Sequence, residues 1–192
     1  MKAKRAAVVI SCALLLAMGA TAQSKQEDVC RLLTASVIQK AQGSAPVTTR
    51  ATATDTGKLK SEQCFFELTP FAQSISLQVI SPSRTRQVDV REFWNGRFHR
   101  LDNDAGEAEE EENLGRAEAE AEHQTPPVPL KGVGDEAYWV DTGRDGALYA
   151  LAGENIVRIS LGGNFSRDKK IEKASLLANS AIARLGKSVA SK

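Results

Sequence analysis

The residues best placed by type and spacing to do chemistry lie in one string, Gly132-Val133-Gly134-Asp135-Glu136-Ala137-Tyr138-Trp139. A carboxylate at Asp135 after two glycines, followed by Tyr138 and Trp139, would suit a ligand-binding loop. The acid would orient a polar group, and the two rings would wall an apolar one. Beside a concave pocket, with a carboxylate of perturbed pKa, the same residues would point to an enzyme or a cofactor-handling protein. The string lacks the third glycine of a dinucleotide fingerprint, and it precedes a strand-like run instead of opening a helix. A tight turn, with Asp135 accepting hydrogen bonds from nearby backbone amides, is the simpler reading.

Other catalytic signatures are missing from the sequence. No Gly-x-Ser-x-Gly or His-Glu-x-x-His string occurs. The histidines are His99 and His123, and neither sits in the context of a Cys-His nucleophile system. The run Glu107–Glu112 offers calcium many oxygens but lacks EF-hand spacing, and contiguous glutamates on a helix point in different directions. Carboxylate pairs for glycoside hydrolysis need not be adjacent in sequence. Trp94 and Trp139 read as core or half-buried rings, not as sugar platforms. No catalytic residue, metal ligand set or cofactor is therefore assigned.

The cysteines carry a different chemistry. Cys12 lies in an N-terminal segment that reads as a signal peptide, so a mature chain keeps Cys30 and Cys64. In an oxidising compartment two such thiols are most simply a disulfide. No Cys-x-x-Cys occurs to support a redox motif or a thiolate zinc site. The segment 1–22 has a basic start at Lys2, Lys4 and Arg5, and an uncharged apolar run from Ala6 to Met18. Ala20-Thr21-Ala22 then supplies small residues for cleavage. That run is shorter than the roughly 20 residues of a membrane span. Val9-Ile10-Ser11-Cys12 loosely matches a lipoprotein box, but too little apolar sequence precedes it, which argues against lipidation at Cys12. Membrane contact is then limited to the transient signal peptide.

Charge is unevenly placed. Without Lys2, Lys4 and Arg5 the chain has 22 basic and 24 acidic residues. Ten of the acids fall between Asp102 and Glu122, where Arg116 is the one base. This is separation within one chain and not the uniform basicity of a nucleic-acid binder; export also excludes nucleic acid as a partner. The acidic stretch has helix-forming residues but no apolar face, and reads as a solvated, flexible insert at 102–125. Pro126, Pro127 and Pro129 end it.

Periodicity predicts the elements that position these residues. Ser24 opens a capping box before a helical run to Gly43, with Thr34 as an alternative second cap that would break it in two. Strand-like runs follow at 47–54, 63–68 and 74–80, the last with Ile75, Leu77 and Val79 on one face. A helix is expected over Ser83–Leu101. After the insert come a strand entered through Tyr138-Trp139, a turn at 142–146, and strands at 147–152 and 155–161 around a Gly153-Glu154 hairpin. Ser166 caps a final helix, 167–187, whose apolar stripe includes Ile171, Leu177 and Ile182. Strands in runs with segregated helices predict an α+β fold: one domain over 23–192, with an antiparallel sheet and helices packed against it.

Asp28-Val29-Cys30-Arg31-Leu32-Leu33-Thr34, Gly43, Cys64-Phe65, the Gly-Asp-Glu-Ala-Tyr-Trp string and the Ala-rich C-terminal helix form a pattern over nearly all the mature chain. It resembles a domain-of-unknown-function family of bacterial secreted proteins and lipoproteins. The resemblance implies paired cysteines and an α/β/α sandwich whose layout is similar to PsbP. The acidic insert and the weak lipoprotein box are departures from it. The expected role is a secreted or periplasmic, non-enzymatic domain that binds an envelope protein or a small ligand. The alternative is an enzyme or cofactor-handling protein with its site near Asp135 and Trp139.

Overall fold

The computed structural model describes residues 29–85, 88–99, 126–142 and 145–190. The expected signal peptide with Cys12, the expected Ser24 capping box and the acidic stretch lie outside the described residues. Extended runs form strands where a neighbouring strand can pair with them, and among the described residues seven do so. They are β1 (Thr48–Asp55), β2 (Leu59–Glu67), β3 (Ile75–Pro82), β4 (Val128–Leu130), β5 (Glu136–Thr142), β6 (Asp145–Ala152) and β7 (Asn155–Leu161). One sheet results, in the order β1-β2-β3-β7-β6-β5-β4, with every pair antiparallel. Two meanders thus meet where β3 pairs β7.

Helices α1 (Ala35–Gln42) and α3 (Arg167–Ala190) cover one face. Their Ile38, Ala41, Ala174, Leu177 and Ala181 pack on Phe66, Leu77, Trp139, Leu148 and Ile159 in the main core. Helix α2 (Val90–Phe98) lies on the opposite face. There Val90, Trp94 and Phe98 cover Val140, Leu151 and Ile156 in a second, smaller core. The α+β prediction of one antiparallel sheet with packed helices is what the chain adopts, and the helices lie on both faces.

Several boundaries differ from the sequence reading, each for a local reason. The N-terminal helical run is a 3-10 turn at Val29–Leu32 followed by α1. The break falls at Thr34, whose Oγ1 accepts from Val37 N at 3.4 Å and caps α1. Strand β2 starts at Leu59, four residues before the predicted run, because its mixed first residues are recruited by pairing with both β1 and β3. The helix expected over Ser83–Leu101 spans Val90–Phe98. Asp89 caps it, accepting from Arg91 N at 2.8 Å, while Ser83 is held back by Asp55 at 3.1 Å. Strand β4 was not anticipated; it pairs with Ala137–Trp139 at the edge of the sheet, where Pro129 needs no ladder donor.

The disulfide is formed as expected. Cys30 in the 3-10 turn joins Cys64 in β2, with the Cα atoms 5.2 Å apart. Cys64 is fully buried. The bridge is a staple of the core, closed to solvent on its β2 side.

Candidate functional site

Asp135 is fixed by the turn that carries it. Gly134 has φ of 57°, and a Cβ there would stand 2.3 Å from the Leu151 carbonyl oxygen. That close approach lets Asp135 N donate to Leu151 O at 2.8 Å, while Asp135 Oδ2 accepts from Gly153 N at 2.8 Å. Arg91 of α2 adds an exposed ion pair at 3.4 Å, of small energetic value in water. The carboxylate therefore fastens its own turn to the β6–β7 hairpin.

Successive strand residues point to opposite faces, and this separates the two predicted aromatics. Trp139 is 1% exposed in the main core, donates through Nε1 to Asp141 Oδ1 at 2.7 Å, and lies against Gly146. Tyr138 lies on the other face, among the α2 residues. The two rings do not form one wall. Two open depressions of about 510 Å³ each flank the Gly153-Glu154 turn, one beside Val88 and Arg91 and one beside Asp135, Ile182 and Leu185. Neither is lined by Tyr138 or Trp139.

The residues brought together are different ones. Glu136 shares the α2 face with Tyr138, and its carboxylate receives three donors. Trp94 Nε1 donates to Oε2 at 2.8 Å, while Tyr138 OH and His99 Nε2 donate to Oε1 at 2.8 and 2.9 Å. Phe98 stacks on Tyr138 with centroids 4.8 Å apart, and Trp94 packs on Phe98 at 4.3 Å. Partial burial raises the Glu136 pKa, but the hydrogen bonds from Tyr138, Trp94 and His99, with the His99 charge, together outweigh it and hold the carboxyl below its ordinary 4.5. A carboxylate–histidine pair can orient a general base. Among the described residues, however, no hydroxyl or thiol nucleophile bonds His99. Trp94 lies in α2 and His99 caps its C-terminal end, so the arrangement works as a clamp that holds the helix to the sheet.

A pH dependence follows from that clamp. Because the folded pKa is depressed, its stabilisation is complete above about 4.5 and is lost as pH falls through the lowered folded value. Glu136→Gln is expected to lose about 1 kcal/mol at neutral pH, a charged hydrogen-bond value discounted for a side chain one-third exposed. Urea midpoints measured against pH should show the gap between wild type and Glu136→Gln closing as the medium becomes acidic. A gap that stays constant below pH 4 would refute this assignment.

Next to the clamp, two guanidinium groups surround one phenol. Tyr149 OH accepts from Arg158 Nε at 3.0 Å and from Arg97 Nη2 at 3.4 Å. Arg97 Cζ lies 4.9 Å from the Tyr149 ring centroid, and Arg158 Cζ lies 5.6 Å from it. Sequence reasoning missed Glu136, His99, Arg97, Tyr149 and Arg158 as a group. Part of the signal was available. A Gly153-Glu154 turn sets Tyr149 opposite Arg158, and strand alternation sets Glu136 beside Tyr138.

Among the described residues no three His, Cys, Asp or Glu side chains are grouped to hold a metal ion. Among them too, no helix is long and apolar enough to cross a membrane. Searches of family models, curated proteins and solved structures found no match to this chain.

Proposed function

We propose that the chain is an exported, non-enzymatic recognition domain of the cell envelope, periplasmic or extracellular, which binds a protein or small ligand on the sheet face that α2 leaves partly bare. This reading keeps the chain with the bacterial secreted family that its Leu-Leu-Thr and Gly-Asp-Glu-Ala-Tyr-Trp strings resemble. The observation that carries it is the composition of one row across that face. Cross-strand register lines up Thr52, Gln63, Gln78, Arg158, Tyr149 and Tyr138, from the edge strand β1 to the aromatic cluster under α2.

An ordinary solvated sheet face carries Lys, Glu and Asp. On this face, β1, β2 and β3 present hydroxyls and amides, with no lysine and no aspartate. Gln63 Nε2 donates to Ser76 Oγ and Gln78 Nε2 to Ser61 Oγ, both at 2.8 Å, so the amides are fixed in place. Tyr, Phe and Arg, with few lysines, are the side chains enriched on recognition surfaces. The disulfide supports the compartment, since such bonds persist where glutathione does not reduce them.

The test is capture from envelope extract by the immobilised mature protein. Thr52 and Thr54 are exposed on β1, so Thr52→Glu with Thr54→Glu places two charges on the face without opening the core. That variant is expected to lose the captured species, while Arg184→Ala on the outer side of α3 retains it. Undiminished capture by the doubly charged variant would overturn the proposal.

A further inference from the structure

We infer that the depression between the Gly153-Glu154 turn and the end of α3 is a second binding site, which takes the side chain of a lysine or arginine on a partner polypeptide. The site lies on the α3 side of the sheet, apart from the recognition face above, and neither reading depends on the other.

Three observations carry it. The first is the lining of the depression, which has a volume of about 510 Å³. Ile182 and Leu185, the half-buried end of the α3 apolar stripe, give it an aliphatic wall. Opposite them stand the carboxylates of Asp135 and Glu154 with the amide of Asn155, and no lysine, arginine or histidine is among the lining residues. The second is charge. Glu154 is exposed and makes no hydrogen bond or ion pair among the described residues. Asp135 spends Oδ2 on Gly153 N and on the long, exposed pair with Arg91, which lines the neighbouring depression. Its Oδ1 receives no donor among the described residues. An apolar wall facing two carboxylates matches a side chain with an aliphatic stem and a cationic head. The third is preorganisation. Asp135 N bonds Leu151 O at 2.8 Å, and Asn179 of α3 donates through Nδ2 to Gly132 O at 3.1 Å, so the turn is tied to both the sheet and the helix. Walls held in place lower the ordering cost of binding. A Cβ added at Gly186 would meet no atom within 4 Å. Glycine within a helix costs about 1 kcal/mol relative to alanine, and at this position it leaves the depression clear.

Other occupants fit less well. An uncharged apolar group would cover Asp135 and Glu154 without pairing them, and a carboxylate taken from water without a partner costs free energy. A metal ion would face aliphatic side chains on one wall, and among the described residues no third acid joins the two carboxylates. The depression opens beside the exposed turn at Gly153, so a long side chain can enter it while its backbone stays outside.

The experiment follows the backbone amides of Gly153, Glu154 and Asn155 and the methyl groups of Ile182 and Leu185 in the mature protein by NMR. Capped tripeptides with lysine, arginine or norleucine at the centre are titrated separately at low ionic strength. Saturable shifts are expected with the lysine and arginine peptides. Norleucine keeps the aliphatic stem without the charge and should not saturate. Glu154→Gln, on an exposed turn, should weaken binding by about threefold to fivefold, the scale of an exposed ion pair. Gly186→Leu should fill the depression and abolish the shifts; Glu154→Gln tests the site even if that variant folds poorly. Glu172→Gln removes the same charge from the first half of α3 and should leave binding unchanged. No saturable shift with either basic peptide would overturn the inference. So would equal binding of the norleucine peptide, or equal losses in Glu154→Gln and Glu172→Gln, which would leave only the general field of the protein. Butylamine binding as tightly as the lysine peptide would assign the site to free amines and overturn the polypeptide partner.

Discussion

Loss of the Cys30–Cys64 bridge is expected by itself to lower the stability of the domain by about 3–4 kcal/mol, the chain-entropy value for a loop of this length. The two residues are 34 positions apart, and the bridge closes that loop between the 3-10 turn and β2. The turn has only four residues, too few to persist through its own hydrogen bonds. It nevertheless buries Val29 and Leu32 in the main core, next to Leu33. Without the bridge those contacts must hold the segment alone. Because Cys64 is fully buried, the double serine variant also leaves a hydroxyl in an apolar site, at an added cost of about 1–3 kcal/mol. The double alanine variant avoids that second effect, so comparing the two separates cross-linking from polarity. Urea unfolding of both variants, beside wild type with and without reductant, measures the difference. A loss below 1 kcal/mol would mean that the packing of Val29, Leu32 and Leu33 suffices. Domains of this size are stable by about 5–15 kcal/mol, so the expected loss is a large share of the total. It also bears on the proposed recognition face, since Gln63 and Phe65 flank Cys64 on the opposite face of β2.

What the sequence revealed and what it hid divide along the range of the interactions. Strand β3 was legible because Ile75, Leu77 and Val79 alternate with polar residues and all three are buried. Helix α3 was legible because its apolar stripe keeps helical spacing, and Ala174, Leu177, Ala178 and Ala181 form its buried face. The hairpin at Gly153 was legible because a positive φ of 60° there suits glycine. These signals are local. Strand β4 was hidden, because three residues with a central proline make a strand only when β5 offers an edge. The length of α2 was hidden too. Its start depends on the Asp89 cap and on Ser83 being drawn toward Asp55, a contact made 28 residues back along the chain. The candidate site lies at the far end of this scale. Trp94 meets Glu136 across 42 residues, and Arg97 meets Tyr149 across 52. No periodicity encodes such pairs. One error was avoidable: Tyr138 and Trp139 are adjacent, so any strand through them must place the rings on opposite faces.

Trp94→Ala is expected to be the most damaging single change on the α2 face, with a loss of about 3–5 kcal/mol. The indole is fully buried, lies against Phe98 and Tyr138, and supplies one of the three donors to Glu136. Helix α2 is nine residues long and contains Gly96, so intrinsic propensity cannot hold it to the sheet. Its attachment depends on Val90, Trp94 and Phe98, of which Trp94 is the largest and most central. Trp94→Phe separates packing from hydrogen bonding. It keeps most of the apolar surface but leaves Glu136 Oε2 without its indole donor, so it should cost about 1–2 kcal/mol. Combining Trp94→Phe with Glu136→Gln should then cost less than the sum of the two single changes, because both act on one bond. Strict additivity in that cycle would show that the indole works by packing alone. The same variants connect the docking of α2 to the position of Arg97. Arg97 sits one helical turn from Trp94, and its contact with Tyr149 needs α2 in place. Trp94→Ala should therefore release the Arg97–Tyr149 contact, read as a shift of the Arg97 Nε–H signal by NMR, whereas Trp94→Phe, which keeps α2 docked, should leave it in place. Equal loss of that contact in both variants would show that α2 docks through the indole N–H bond and not through the packing of the ring.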